Sequence, residues 1–344
     1  MGQTPADSLD GKDLGNGWKV TEKITKGPFS TGGRFSVGYK VEKDGKVAYL
    51  KALDFSAASK AKDPARELQA MTEAYNFERD LLDKCKINKL SRVITPLLDG
   101  SLTVQGFGDF SLVHYLIFEM ASGDIRKIIN DFKTFDLHWC LQSLHNVAVG
   151  LQQLHMNGIA HQDVKPSNVL VMADKQSKIG DLGRASDQQK SSANDGFRVP
   201  GDTGYAPIDL YYKDSGIEGF DKRFLADMYL LGSLFFFHFT GVSATHLLRA
   251  KLNGVRLANT AFKVDLPHLQ HAFEEAMTDL RCQVSAHASD FTDEIFVMVR
   301  ELCDPDPSKR GDPKWSGSVV PRYDLQRYIS RLDLMCKKIE RHIT

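Results

Sequence analysis

The chain has 344 residues, 42% of them hydrophobic and 26% charged, with Lys+Arg and Asp+Glu both at 44. This is enough for one bilobal unit or two modest domains, and it excludes wholesale disorder. A formal charge of zero gives no electrostatic case for nucleic acid or a membrane surface as the main partner. The five cysteines, Cys85, Cys140, Cys282, Cys303 and Cys336, are scattered and form no CxxC. That usage reads as a reducing compartment without a structural zinc site.

Residues 1–16, rich in Gly and Asp, are expected to form a loose, flexible leader. They lack the apolar core of a signal peptide, and Ala6 stands where a myristoylation signal wants Ser or Thr. The longest apolar run, Met228 to Phe237, is too short to cross a bilayer. No membrane insertion and a cytoplasmic location are therefore expected.

From Trp18 the pattern alternates. WKVTEKI reads as a strand and KGPFSTGG as a turn. In RFSVGYKV, Phe35, Val37, Tyr39 and Val41 share one face and Arg34, Ser36, Gly38 and Lys40 the other. Lys43-Asp44-Gly45-Lys46 is a hairpin turn leading into VAYLKALDF, a third strand. A helix is predicted from about Pro64 to Cys85, with Leu68, Met71, Tyr75, Leu82 and Cys85 on one stripe. SRVITPLLDG and SLVHYLIFEM read as two further strands, and Ser122-Gly123-Asp124 as a hinge.

Everything after the hinge reads mainly helical. Leu137, Cys140, Leu141, Leu144, Val147, Ala148, Leu151 and Leu154 form an amphipathic stripe that Gly158 should end. Asp227 to Thr240 is apolar on all sides, as in a buried core helix. Phe291, Ile295, Phe296, Val299 and Leu302 mark a later helix, and Leu325 to Ile343 a last one. The stretch from Val242 to Ala288 matches no readable pattern. The plan is α+β: a leader over 1–16, a sheet lobe over 17–121 and a helical lobe over 122–344, with a cleft between the lobes.

The segment HQDVKPSNVLV, His161 to Val171, concentrates the chemistry. It holds Asp163, Lys165 and Asn168, and Asp181 follows in KIGDLG. A carboxylate to hold a hydroxyl, a cation for a phosphate, and an amide with a second carboxylate for magnesium are the groups that phosphoryl transfer needs. In this order and spacing the segment resembles the catalytic loop and metal-binding turn of eukaryotic-type Ser/Thr protein kinases. Matching motifs run from about Thr31 to Arg310.

The resemblance implies a bilobal protein-kinase-like fold, ATP and Mg2+ as cofactors, and Ser/Thr hydroxyls of a protein as acceptors. Lys51, in YLKAL, takes the place of the phosphate-binding lysine. Glu78 is the choice for its carboxylate partner because Leu82 follows four residues on; Glu73 and Asp80 remain alternatives. Asp163 would orient the acceptor hydroxyl, Lys165 contact the γ-phosphate, and Asn168 and Asp181 bind magnesium. His161 would pack behind the metal-binding turn. Gly32 and Gly33 would bring backbone N–H groups to phosphate. The backbone of Glu119 and Ala121 would meet adenine behind the bulky Phe118, Asp124 would reach the ribose, and Leu170 would line the nucleotide pocket. Asp227 would brace the catalytic loop from the buried helix, and Arg310, in DPSKR, would pair with Asp209 after the Ala-Pro of GDTGYAP. These late features point to a protein substrate rather than a small molecule.

The chain also departs from the family. Thr31 and Ser36 stand where the phosphate loop usually has glycine. Tyr49 replaces an alanine, and Gly38 stands where the facing strand has valine. Gly38 would then make room for Tyr49, unless a one-residue shift puts Val37 there instead. Leu182 replaces a phenylalanine after Asp181. Gln162 replaces the arginine that pairs with an activation-segment phosphate in the family, which implies activity without obligatory phosphorylation there. Ser186, Ser191, Ser192 and Thr203 could be autophosphorylation sites, but ordinary loop residues is the preferred reading. A pseudokinase used only for binding would be expected to lack one of Lys51, Asp163, Asn168 or Asp181, and all four are present.

Overall fold

A computed structural model describes residues 4–25, 36–131, 134–215, 219–254, 258–315 and 321–343. The glycine-rich stretch with Gly32 and Gly33 lies outside them. The chain divides into two compact units, Met1–Ser122 and Gly123–Thr344. The first is a small antiparallel sheet with one main helix and the second is mostly helical, the bilobal fold class expected.

In the first unit, strands β1 (Lys19–Lys23), β2 (Ser36–Lys43), β3 (Lys46–Leu53), β4 (Pro96–Thr103) and β5 (Leu112–Glu119) form one sheet in the order β1-β2-β3-β5-β4, antiparallel throughout. Alternation sets its faces. Tyr39 and Val41 of β2 and Ala48, Leu50 and Ala52 of β3 point into one apolar core, leaving Gly38, Lys40, Tyr49 and Lys51 to the other face. Asp44 and Gly45 both take positive φ, 51° and 76°, as the two-residue hairpin between β2 and β3 requires. The fourth strand lies downstream of the predicted Ser91–Gly100. Val93 and Ile94 are buried outside the ladder, and pairing begins at Pro96.

Helix α1 (Pro64–Ile87) starts where the Asp63 carboxylate accepts the Arg66 N–H at 3.1 Å and Pro64 fills the first turn. It buries Tyr75, Phe77, Glu78, Leu81, Leu82 and Cys85.

The expected loose leader is corrected. Ala6 and Leu9 are fully buried and Leu14 nearly so, all in the core cluster that contains Tyr39 and Val41. The Tyr39 hydroxyl donates to the Ala6 carbonyl at 2.7 Å, and the Leu14 N–H donates to the Trp18 carbonyl at 2.9 Å. Three apolar side chains among glycines and aspartates suffice because the sheet already offers an uncovered apolar face.

The register question at Gly38 is settled. Gly38 pairs with Lys51, whereas Val37 pairs with Ala52 and packs against the core. A Cβ on Gly38 would lie 2.8 Å from the Tyr49 Oη and 2.9 Å from Cε2, so the tyrosine ring occupies the space a side chain there would need. Gly38→Val is expected to cost about 1–3 kcal/mol by overpacking, and clearly less in a Tyr49→Ala background. A double-mutant cycle by urea unfolding measures this coupling; additive effects would contradict the fit.

In the second unit, β6 (Gly123–Asp124), β8 (Val169–Val171) and β9 (Ser177–Ile179) form a small antiparallel sheet, and β7 (Ile159–Ala160) pairs with β10 (Ser186–Asp187). Helix α2 (Ile125–Asp131) leads to α3 (Leu137–Met156), which starts at the Asp136 cap and buries its predicted stripe from Cys140 to Leu154. Helix α4 (Asp221–Thr240) is buried along almost its whole length, as a helix apolar on all sides must be. Among the described residues, no single helix is long and apolar enough to cross a membrane. Helices α5 (Ala244–Lys251) and α6 (Phe262–His287) occupy the stretch that gave no readable pattern. In α6, Pro267 lies inside the helix and Val264 is exposed, and both break the periodicity that would reveal it. Helices α7 (Thr292–Cys303) and α8 (Gln326–Ile343) complete the unit.

Candidate active site

In the first unit, Lys51 projects from β3 toward α1. Its Nζ lies 2.8 Å from Glu78 Oε1 and 3.0 Å from Oε2, and Glu78 is buried. The alternatives are engaged elsewhere: Glu73 accepts from Gln69 at 2.8 Å, and Asp80 pairs with Arg79 at 3.0 Å. A strand lysine held by both oxygens of a buried helix carboxylate is aimed by it. Glu119 closes β5, and its carboxylate accepts the Thr95 N–H at 2.7 Å. Ala121 follows at the end of the same unit.

In the second unit, the loop from His161 to Asn168 folds around Asp163. Lys165 Nζ lies 3.0 Å from Asp163 Oδ2. Asn168 Nδ2 donates to the Asp163 carbonyl at 2.8 Å and to Oδ2 at 3.0 Å. The Asp202 N–H donates to Oδ1 at 2.7 Å, and the Asp202 carboxylate lies 3.4 Å from Lys165. Burial pushes the Asp163 carboxyl up from its ordinary range, and Lys165 pulls against that shift. The approach of the 201–204 segment requires glycine: a Cβ on Gly201 would stand 2.2 Å from the Gln162 carbonyl oxygen.

The loop is anchored from below. Asp227 of α4 is fully buried and accepts the His161 N–H at 2.8 Å and the Gln162 N–H at 2.7 Å, with His155 Nε2 at 3.0 Å. These bonds offset the cost of burying its charge. His161 Nδ1 accepts the Asp163 N–H at 3.2 Å, which leaves Nε2 to donate to the Gly180 carbonyl at 3.0 Å. That bond fixes the turn before Asp181, where φ is +60° and the carboxylate is exposed. Asn168 supplies the second bond to this turn, its carbonyl accepting the Gly180 N–H at 2.8 Å.

Asp124 and Leu170 are register partners across β6 and β8, and Asp124 also pairs with Arg126 at 3.2 Å. Asp209 and Arg310 form a buried ion pair, each side chain 1% exposed, and the Arg310 Nε donates to the Asp304 carbonyl at 2.8 Å.

Residues 31–314 match the protein kinase domain family. The chain belongs to that family. It is 29% identical over 119 residues to 3-phosphoinositide-dependent protein kinase 1 of Caenorhabditis elegans, covering 32% of this chain and 19% of that protein. It is 36% identical over 83 residues to the mitogen-activated protein kinase homolog NTF3 of Nicotiana tabacum, 24% of this chain and 22% of that one. Over 70 residues it is 34% identical to the serine/threonine-protein kinase greatwall of Mus musculus, 20% of this chain and 8% of that protein. The chain thus spans less than a quarter of each of these relatives' length.

Within this kinase domain, three residues near the catalytic loop gave no sequence signal: Asp202, Arg223 and Asp195. Asp202 acts on Asp163 through its backbone N–H, a group every residue except proline carries. Arg223 and Asp195 read as solvated charges until the fold brings them to Gln162 and Ser186.

Proposed function

We propose that the protein transfers the γ-phosphoryl group of ATP to Ser/Thr hydroxyls of a protein substrate, with Mg2+. The observation that carries this reading is the cluster at Asp163. A buried carboxylate of raised proton affinity is held by a lysine, an asparagine and a backbone N–H, on a loop braced by Asp227. In that role Asp163 accepts a hydrogen bond from the acceptor hydroxyl and takes its proton as the new O–P bond forms. Lys165 sits beside it to meet the γ-phosphate, and Lys51, aimed by Glu78, binds the inner phosphates. Positioning and charge neutralisation supply most of the rate.

Asn168 and Asp181 offer an amide and a carboxylate oxygen. This hard-oxygen pair suits magnesium, which keeps several waters and takes its other ligands from phosphate rather than from an all-protein cage. The ion would neutralise charge on the transferring phosphates. Ser/Thr acceptors are favoured by Lys165, since tyrosine kinases of the family differ at that position, and by the serine/threonine-protein kinase among the relatives. The scattered cysteine usage, with no CxxC pair, favours a reducing, cytoplasmic setting.

The test is transfer from labelled ATP to itself and to a mixed protein substrate by wild type, Asp163→Asn and Asp181→Asn. Label on protein from wild type alone is expected, and equal label from all three would refute the reading. Label confined to a small molecule would redirect it to a small-molecule kinase. Because Tyr49 shares a strand face with Lys51, Tyr49→Ala is expected to change ATP affinity in a binding titration. An unchanged dissociation constant would remove Tyr49 from the nucleotide site.

A further inference from the structure

Gln162, next to Asp163, uses both ends of its side-chain amide. Nε2 donates to Ser186 Oγ at 2.9 Å and to the Arg184 carbonyl at 3.1 Å, while Oε1 accepts from Arg223 Nη1 at 2.9 Å. Arg223 Nη1 also donates to Ser186 Oγ at 2.7 Å, and Ser186 Oγ donates to Asp195 Oδ1 at 2.9 Å. Arg223 Nη2 closes the ring, 3.3 Å from both the carbonyl and Oδ1 of Asp195. Asp195 is itself fixed, because its other carboxylate oxygen accepts the Ser192 N–H at 2.8 Å in a capping box. Gln162 is buried at φ +63°, a conformation an ordinary residue keeps only when its surroundings impose it.

We propose that Arg223 and Asp195 are positioning residues for the catalytic loop, acting through Gln162 and Ser186. Their ion pair supplies from within the chain the anion–guanidinium link that an added phosphate would otherwise make. The inference rests on the protein kinase reading and specifies how it is regulated. The segment from Arg184 to Asp195 is tied to the residue before Asp163 by a cation on α4 and a carboxylate of the segment itself. Ser186, buried at the centre, is a bridge in this ring and not a modification site. An arginine at 162 would bring a second guanidinium against Arg223, so glutamine there and Arg223 on α4 form one arrangement.

The experiment uses full-length protein that intact-mass measurement shows to carry no phosphate. Wild type, Arg223→Met, Asp195→Asn and Asp195→Glu are compared by kcat, by KM for ATP, by melting temperature and by the rate of tryptic cleavage at Lys190 and Arg198. The phosphate-free wild type is expected to be active. Arg223→Met and Asp195→Asn are expected to lower kcat about tenfold with KM for ATP nearly unchanged, and to speed cleavage. Asp195→Glu, which keeps the charge, should restore most of both. Wild type active only after phosphorylation of the segment would overturn the proposal, as would wild-type kcat and cleavage in both neutralising variants. A loss that Asp195→Glu does not rescue, with KM and melting temperature moving together, would reduce the ring to a structural role and also overturn it. If no form transfers phosphate, the kinase reading fails, and the cleavage rates still decide whether the clamp exists.

Discussion

Asp163→Asn should lower kcat by about a hundred- to ten-thousand-fold and leave ATP affinity close to wild type. Asparagine keeps the shape and can still accept the Asp202 N–H that Oδ1 accepts at 2.7 Å, so the loop backbone stays in place. On the proposed function, what it loses is the ability to hold and take the acceptor's proton. It also turns an amide N–H toward Lys165 and Asn168, which are both donors to this carboxylate. The same carboxyl sets a pH limb. Burial raises its proton affinity, so activity should fall on acidification at a pH above the ordinary carboxylate range, as the base becomes protonated. A kcat profile of wild type from pH 5 to 9 checks the limb. A variant with wild-type kcat would remove Asp163 from proton transfer.

The second large effect is on stability and needs no activity. Arg310→Met is expected to destabilise the helical unit by about 3–5 kcal/mol, because it leaves the Asp209 carboxylate buried and unpaired. The partners are each 1% exposed, so water cannot replace the lost guanidinium. The guanidinium also lies 5.0 Å from the centre of the Tyr229 ring, a contact methionine replaces only in part. Asp209→Leu with Arg310→Met should recover much of the loss, since exchanging both members of a buried pair for apolar groups removes the stranded charge. Urea unfolding followed by far-UV circular dichroism measures both. A loss below about 1 kcal/mol in the single variant would show that the pair is hydrated in solution.

Much of the site was legible because its residues act at fixed spacings within one loop. His161, Asp163, Lys165 and Asn168 lie within eight positions, and hydrogen bonds join them through side chains that only those residue types supply. Asp227 and Arg310 were legible through the family resemblance, which marks both positions, and a carboxylate in the apolar α4 must in any case find hydrogen-bond donors. The shift of the acidic partner to Asp209 could be anticipated because Ile208 stands where the family has its glutamate after Ala-Pro and Asp209 is the next carboxylate; the buried pair with Arg310 agrees.

Features that depend on tertiary neighbours were not legible. Nothing local marks Arg223 as different from Lys222, and only the fold brings it to Gln162. The choice among Glu73, Glu78 and Asp80 turned on which carboxylate of α1 lies on its buried face, which the sequence left open. The N-terminal segment misled for the opposite reason. Its polar composition is real, but Ala6, Leu9 and Leu14 cover a face that the sheet cannot cover itself.

That segment separates two units that are easily taken as one. The family match begins at residue 31, whereas the sheet's core begins with Ala6. The portion that can be recognised by descent is therefore shorter than the portion that can fold. A fragment cut at the start of the match would lose β1 with Val20, and would strand the Tyr39 hydroxyl in a core with no acceptor at the Ala6 carbonyl. What the early residues supply to the sheet is three apolar contacts and one backbone carbonyl, a contribution that depends on where they sit rather than on any run of matching letters.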